Sequence, residues 1–346
     1  MKVGLVGFGG SGKTTVFNTM TGLDVPVGYG GGVRLGTVRV PDERIDHLSA
    51  IFHPKKTTYA EITFCDVPGE HGAERRGLSP RALAIIREQE ALALVLRDFG
   101  QAALEGNGNP LHSLNTFSDE CVLADLEIVE GLLKRARKDD LSTADQARFE
   151  QMREVLEDGI PLRTVSADVL DRDYLRGYQL LTDRPLVVVV NRDETRAADP
   201  LPADLAARID DLGAAGLVMS ASVEAEIAEL DADDQAAFLQ DLGLQESALA
   251  RFIRTAYGLL ALISFFTVGQ DEVRAWTIGR GMTARQAAGK IHSDLQRGFI
   301  RAEVIPYDAF MELGSEQAVK SAGRILTVGK EYNVTDGDIM NIRFNV

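Results

Sequence analysis

An α/β fold on a parallel sheet is what the 346-residue sequence predicts, and three features of the chain predict it. An apolar strand, Lys2–Val6, runs straight into a glycine-rich turn and then a helix carrying Val16, Phe17 and Met20. Leu92–Arg97 and Leu186–Val190 are almost wholly aliphatic, the second nearly pure valine, which suits strands buried on both faces of a parallel sheet. Helical periodicity fills the intervals, giving the strand and helix alternation of this class.

The other elements follow in order. Val25–Leu35 holds Gly28, Gly30, Gly31 and Gly32 and reads as a loop, because that much glycine resists regular structure without a ligand. Strands are expected at Gly36–Val40 and Ala60–Val67, the latter ending in Asp66-Val67-Pro68-Gly69, and a polar loop leads to a helix near Pro80. From Ser118 to Leu181 the period becomes helical: Val122, Leu123, Leu126, Val129, Leu132 and Leu133 share a face. Ser142-Thr143-Ala144-Asp145 then has the form of a cap before Phe149, Met152, Val155 and Leu156. This is read as an inserted helical hairpin whose leucine stripe packs helix on helix, ahead of a partner-binding surface.

After Ser264 the pattern becomes short strands at Phe265–Val268, Glu272–Ile278, Ile300–Ile305 and Ile342–Val346, with a turn at Asp336-Gly337. One helix begins at the capping box Thr283-Ala284-Arg285-Gln286 and presents Ala287, Ala288, Ile291 and Leu295 to a core. A small mixed sheet crossed by that helix is expected, with Trp276 assigned to packing ahead of base stacking. The expected divisions are 1–117 and 182–263 for a split α/β domain, 118–181 for the hairpin and 264–346 for the last domain.

Composition narrows the function. Lys and Arg number 37 against 52 Asp and Glu, a net charge of −15, and the whole excess lies before residue 264 because 264–346 carries ten of each sign. The first part should repel a polyphosphate backbone, which excludes a broad nucleic-acid groove there. A small anion is not excluded, since a few amides and one lysine act within a Debye length of about 8 Å. The longest apolar runs fall far short of the roughly 20 residues that span a bilayer. Without a cleavable hydrophobic segment at the start, the expected compartment is the cytoplasm. Cys65 and Cys121 are too few for a disulfide framework and are read as buried structural residues. The five histidines lack metal-ligand spacing.

Gly7-Phe8-Gly9-Gly10-Ser11-Gly12-Lys13-Thr14 fulfils the phosphate-binding loop pattern in its required setting, strand before and helix after. Glycines let the backbone curl until several N–H groups point inward, the helix start adds its positive end, and Lys13 reaches the β and γ phosphates. Gly7, Gly9, Gly10, Ser11, Gly12, Thr14 and Thr15 complete this anion cradle, with the Thr14 hydroxyl directed at Mg²⁺. Asp66 falls where such proteins face the metal shell, and Gly69 where an amide faces the γ-phosphate. Glu70 stands at the position of a water-orienting side chain, with His71 and Arg75 beside it; a solvated loop is the competing reading of all three.

Asn191-Arg192-Asp193-Glu194 follows the valine strand where guanine-nucleotide proteins carry N-K-x-D, and Ser220-Ala221 follows Gly216–Met219 where they carry a base-contacting loop. Glutamate replaces the aspartate that would accept two hydrogen bonds from guanine, and loss of such paired contacts can cost several powers of ten in selectivity. The residues therefore favour ATP over GTP, with Asn191, Arg192, Glu194, Ser220 and Ala221 around the base.

In this order, the phosphate loop, DVPG, the helical insertion, NRDE and SASVEAEIAEL resemble the YchF/Obg-like ATPase family. So does the C-terminal run from AYGLLALISFFTVGQDEVRAWTIGRGMTARQAAGKIHSDLQRGFIRAEVIPYDAF to GKEYNVTDGDIMNIRFNV, and the resemblance covers essentially the whole chain. It implies a Ras-like P-loop NTPase domain with an inserted helical hairpin, followed by a ubiquitin-like β-grasp (TGS) domain. It also implies ATP as substrate, Mg²⁺, a ribosomal partner, and possible RNA contact through the TGS and helical parts. Three departures stand out: Gly9-Gly10-Ser11 inside the loop, no metal-approaching threonine near Tyr29–Gly32, and a charged second switch around Glu70–Pro80. The leading expectation is a Mg-dependent ATPase with slow turnover in isolation. A nucleotide-gated binder with little turnover, and a GTPase, are the alternatives.

Overall fold

The computed structural model describes residues 1–27, 32–67, 78–100, 109–136, 142–166 and 168–345. In chain order the elements are β1 (Lys2–Val6), α1 (Lys13–Thr21), β2 (Arg34–Arg39), α2 (Glu43–Phe52), β3 (Lys56–Thr58), β4 (Glu61–Asp66), α3 (Pro80–Arg87) and β5 (Ala91–Asp98). Then come α4 (Pro110–Ala136), α5 (Thr143–Glu157), α6 (Arg172–Leu175), β6 (Leu186–Arg192), α7 (Ala203–Asp211), β7 (Ala215–Met219), α8 (Ala221–Glu229), α9 (Ala232–Asp241) and α10 (Ala248–Leu259). The C-terminal part holds β8 (Leu262–Thr267), β9 (Glu272–Gly279), α11 (Ala284–Ile291), α12 (Ser293–Arg297), β10 (Phe299–Pro306), α13 (Tyr307–Leu313), α14 (Glu316–Ser321), β11 (Leu326–Val328) and β12 (Asp338–Phe344). The fold is the mixed α/β class that the sequence predicts.

The contacts divide these elements between two compact units, one of residues 2–38 and 63–256, the other of Met1, 39–62 and 257–346. The first is built on a sheet of order β2-β4-β1-β5-β6-β7, in which β1, β4, β5, β6 and β7 pair in parallel. Side chains of period two sort onto its faces. Leu92, Leu94, Leu96, Leu186, Val188 and Val190 join Ile86 of α3, Leu114 and Phe117 of α4 and Ile209 of α7 in one cluster. Phe64, of the opposite parity to Cys65 in that cluster, packs tilted against Phe252 of α10 with ring centroids 5.2 Å apart.

The helical insertion is entered earlier than the period suggests. The expected start is residue 118, whereas α4 begins at Pro110. Its first turns carry Leu114, Phe117 and Cys121 into the sheet cluster, and its later turns carry Val122, Val129 and Leu133 into a second core with Phe149, Met152 and Leu156 of α5. One helix thus serves two cores, and a boundary drawn at the change of partner cuts it in the middle. The Ser142 hydroxyl accepts from the Asp145 amide at 3.1 Å, the cap expected before α5.

Where α4 meets the sheet unit, Asp125 is fully buried and fully used. Its carboxylate accepts from Arg87 Nη1 (2.7 Å), the Leu181 amide (3.0 Å), the Thr182 amide (2.7 Å) and the Thr182 hydroxyl (2.8 Å). Arg87 also donates to the Ala124 carbonyl. Four acceptances offset the cost of burying this charge, and they tie α3, α4 and the approach to β6 to one carboxylate.

The second unit has a mixed sheet of order β11-β10-β12-β8-β9-β3. Ala284, Ala287 and Ala288 of α11, started by the capping box of Thr283 and Gln286, pack on Ile263, Phe265, Ile278, Ala302, Val304 and Met340. Trp276 is part of this packing: its ring stacks on Phe265, its Nε1 donates to the Thr267 hydroxyl at 3.0 Å, and the Arg274 guanidinium lies 4.0 Å above it. The segment 39–62, placed by sequence in the first domain, supplies the sheet's edge strand β3, in register Lys56↔Glu272 with β9. Arg44 anchors it, donating to Asp42 and to Asp336 and lying over the Phe266 ring. Phe52 stacks on Phe310 at 5.4 Å.

Removing the Asp125 carboxylate leaves Arg87 without its buried counter-charge and takes the acceptor from two amides and the Thr182 hydroxyl. Asp125→Ala is expected to lose about 3–5 kcal/mol of unfolding free energy, read as a lower urea midpoint at unchanged slope.

Candidate functional site

The chemistry-bearing residues of the sequence gather at the C-terminal ends of β1, β4 and β6, and strand register is what gathers them. Parallel pairing of β1 and β4 sets Leu5 opposite Asp66, so the aspartate stands beside the strand end from which the glycine loop departs. The loop then turns on glycines. Gly12 caps α1 at φ 81°, a left-handed conformation that penalises any side chain, and a Cβ there would run into Asn191 Nδ2. At Gly7 a Cβ would sit 2.6 Å from Ser11 Oγ and 2.8 Å from the Val95 carbonyl, so the curl is too tight for any other residue.

Inside this curl Lys13 is buried, with its ammonium against Asp66 Oδ1, and Asp66 is itself buried. Thr14 at the next position donates to Asp66 Oδ2 at 3.3 Å. Arg34, from the first position of β2, brings Nη1 to 3.8 Å from the same oxygen. Ser11 is buried and its hydroxyl has no partner among the described residues. A buried donor without an acceptor, a buried ammonium and the start of a helix describe a cradle whose chemistry suits a phosphate. Thr14 and Asp66 give the adjoining edge two hard oxygens, the donor type Mg²⁺ takes.

Asn191 braces the loop from behind. Its Nδ2 donates to the Ser11 carbonyl at 3.2 Å, and its Oδ1 accepts from the Ala221 amide at 3.0 Å, so one buried side chain joins the phosphate loop to the start of α8. Ser220, buried before α8, shares a hydroxyl contact with Ser222 at 3.0 Å. Asn191, Ser220 and Ala221 are therefore brought together with the loop.

Arg192 is not free for a ligand in the way the sequence suggests. Its guanidinium is buried and donates to Asp98 (2.7 Å) and to the Asp199 and Pro200 carbonyls (2.9 and 3.2 Å), which commits it to holding the loop after β6. Glu194 opens a short 3-10 turn and is exposed. Gly9, Gly10 and Thr15 lie in the loop and the first turn of α1, while Gly69 and Glu70, with His71 and Arg75, fall outside the described residues.

Two cations near the loop carry no motif. Arg34 is one; the other is Arg97, which donates to the Phe99 carbonyl at 3.1 Å, lies over the Phe99 ring and comes within 3.4 Å of where a Gly10 Cβ would be. Each adjoins a recognisable feature: Arg34 follows the glycine run, and Arg97 lies at the end of the buried strand β5. A basic residue at the site-facing end of such an element is the signal that could have found them.

Glu224 in α8 is a buried carboxyl. Burial pushes its pKa up, against the downward pull of the Ala248 amide and of Arg251. A carboxyl whose folded pKa lies above its unfolded value near 4.5 binds more protons when folded. Stability therefore falls as pH rises from there through the folded pKa, and then levels off. Glu224→Gln removes this dependence, so the variant's urea stability relative to wild type should improve as pH goes from about 4 to 7. A constant difference across that range would contradict the assignment.

Three comparisons bear on identity. The family model YchF-GTPase_C, described as a protein of unknown function (DUF933), matches residues 262–345. The chain is 35% identical to the "Ribosome-binding ATPase YchF" of Bacillus subtilis (strain 168), covering all of both proteins. It is 36% identical to the protein of that name from Escherichia coli O157:H7, over the whole of this chain and 99% of that one. Among solved structures it is similar to the Schizosaccharomyces pombe YchF GTPase, with a TM-score of 0.86 and 30% identity over 99% of this chain and 97% of that one. Full-length identity above 30% with both bacterial proteins, and a shared fold over nearly every residue, establish that this chain belongs to the YchF family.

Proposed function

We propose that the chain is a Mg-dependent P-loop protein that binds ATP in preference to GTP, hydrolyses it, and acts in the cytoplasm as a ribosome-associated regulatory factor. The observation that carries this reading is the buried cluster of Lys13, Thr14 and Asp66 beneath a glycine loop. A packing turn has no use for a desolvated ammonium, whereas a triphosphate site has.

In this reading Lys13 leaves Asp66 for the β and γ phosphates, and the loop amides of Gly9 to Thr15 take the remaining phosphate oxygens. The Ser11 hydroxyl gains its missing acceptor there. Thr14 and Asp66 hold Mg²⁺, which neutralises charge on the phosphates when bound. Gly69 supplies an amide toward the γ-phosphate, and Glu70 orients the attacking water. Asn191, Ser220 and Ala221 form the base pocket, with Glu194 at its rim. Arg192 contributes as the clamp that fixes this loop. The printed names of the bacterial relatives support the ATPase and ribosome readings, and that of the yeast structure keeps GTP in view. The C-terminal unit, a mixed sheet crossed by α11, is read as a TGS-like module through which, with the helical hairpin, ribosomal RNA or protein is contacted.

A second reading, binding with little turnover, draws on the glycine run of 28–32, whose only hydroxyl is that of Tyr29. Ordering so much glycine costs entropy at each closure, so a partner that supplies the order would set the rate. Single-turnover measurements with and without ribosomes decide between the two: ATP left intact over hours in both conditions withdraws the hydrolase.

Calorimetric titration with ATP and GTP, with and without Mg²⁺, tests the binding itself. Lys13→Ala should weaken ATP binding by roughly a hundredfold. An affinity within a few-fold of wild type removes the phosphate-loop reading. Glu194→Asp should move the preference toward GTP by about tenfold; an unmoved ratio means that Glu194 does not read the base.

A further inference from the structure

Nucleotide binding changes the charge partners of Asp66, which in the reading above exchanges Lys13 for Mg²⁺. Asp66 is a buried carboxylate whose nearest charge partner is the Lys13 ammonium, and that reading takes Lys13 away to the phosphates. Among the described residues Asp66 has one other cation, Arg34, with Nη1 3.8 Å from Oδ2. That distance marks a guanidinium held beside the carboxylate and short of full engagement with it. Arg34 is the first residue of β2, so its backbone is fixed by the sheet while its side chain remains about one quarter exposed. Its Nη1 also donates to the Pro26 carbonyl at 3.1 Å, and no other partner is found for it among the described residues. An anchored cation with donors to spare therefore sits beside the Asp66 edge that also carries the Thr14 hydroxyl, opposite in charge to a triphosphate's oxygens.

We propose that Arg34 is the chain's own triphosphate-sensing arginine: from its place beside Asp66 it donates to the γ-phosphate oxygens once Lys13 has moved to the phosphates and Asp66 has turned to Mg²⁺. This rests on the nucleotide-binding reading and names a residue that no motif in the chain marks. Chemically the guanidinium is a charge stabiliser and exchanges no proton. The attacking water's oxygen bonds to the γ-phosphorus, the bond from that phosphorus to the bridging oxygen breaks with its electron pair going to ADP, and the water's proton leaves on the released phosphate. Arg34 opposes the charge that builds on the equatorial oxygens, a task that an always-protonated planar fork performs better than a lysine. Arg34 follows in sequence the glycine run in which a metal-approaching threonine is lacking, so sensing passes from a hydroxyl on the metal to a cation on the phosphate.

The test compares ligands that differ in the γ-phosphate, in wild type, Arg34→Ala and Arg34→Lys, using the full chain with Mg²⁺. ADP binding should stay within about twofold in all three, which also shows that the variants fold. Affinity for the β,γ-imido analogue of ATP should fall about tenfold or more in Arg34→Ala and partly recover in Arg34→Lys. Millimolar guanidinium ion should restore part of the single-turnover rate in the alanine variant, a rescue that a loss of packing would not give. An unchanged ratio of analogue to ADP affinity in Arg34→Ala overturns the proposal, as does an equal loss for both ligands. If wild type binds neither nucleotide, or Lys13→Ala binds both as wild type does, the nucleotide reading fails and takes this inference with it.

Discussion

A cation and an anion are buried against each other at the ends of two neighbouring parallel strands, and the site is organised around that pair. Neither Lys13 nor Asp66 can be dehydrated alone without a cost of several kcal/mol, so each requires the other, and both require the register that sets Leu5 opposite Asp66. A slip of one residue between β1 and β4 would turn the carboxylate to the opposite face and set Cys65 in its place. The aliphatic character of β1, β5 and β6 prevents such a slip, because every alternate residue is committed to a packed face. Hydrophobic register therefore sets the position of the polar site, and the pair in turn marks where an anion with more charge than one carboxylate can enter.

What a sequence discloses about such a site depends on how local the chemistry is. The phosphate loop is legible because strand, glycines, lysine and threonine are consecutive and each has a stereochemical reason to be there. The caps at Ser142 and Thr283 are legible for the same reason, since four consecutive residues contain the whole interaction. Arg34 is not, because it reaches Asp66 from 32 positions away with only a sheet to bring them together. Arg192 misleads in the opposite sense. Its place in the NRDE run suggests a ligand contact, while its charge is committed to Asp98, 94 residues earlier in the chain. The segment 39–62 was equally hidden, since its strand β3 pairs with a strand more than 200 residues away. No local period announces a partner at that separation.

In the reading proposed for the loop after β6, a motif keeps its scaffold while its selectivity changes. Asn191 works by joining two backbone segments, the Ser11 carbonyl and the Ala221 amide, which leaves it indifferent to the identity of a base. Arg192, with its guanidinium on two carbonyls and a carboxylate, likewise stiffens the loop. Glu194 alone of the run's site residues is exposed and unconstrained by a buried network. A change at that position would therefore leave the phosphate cradle undisturbed, because the side chains that brace the cradle are other ones.

The same division of labour runs from the site toward the helical hairpin. Strand β4 ends at Asp66, and the chain next becomes a described element at α3, whose entry is fixed by the Leu78 amide donating at 2.6 Å to Glu120 of α4. Burial pushes the Glu120 pKa up, with that amide pulling the other way. One turn and a half further along α4, Asp125 takes Arg87 from the far end of α3. The short helix is thus held at both ends by acids of one long helix whose later turns form the core of the hairpin. A displacement of α3 must either break contacts to a buried carboxylate or carry α4 with it. The first costs several kcal/mol, and the second pulls Asp125 from the Leu181 and Thr182 amides at the approach to β6, which are bonded to the same carboxylate. The α3 and α4 helices and the approach to β6 are therefore held together by one buried carboxylate, and a change at any of the three meets the same cost.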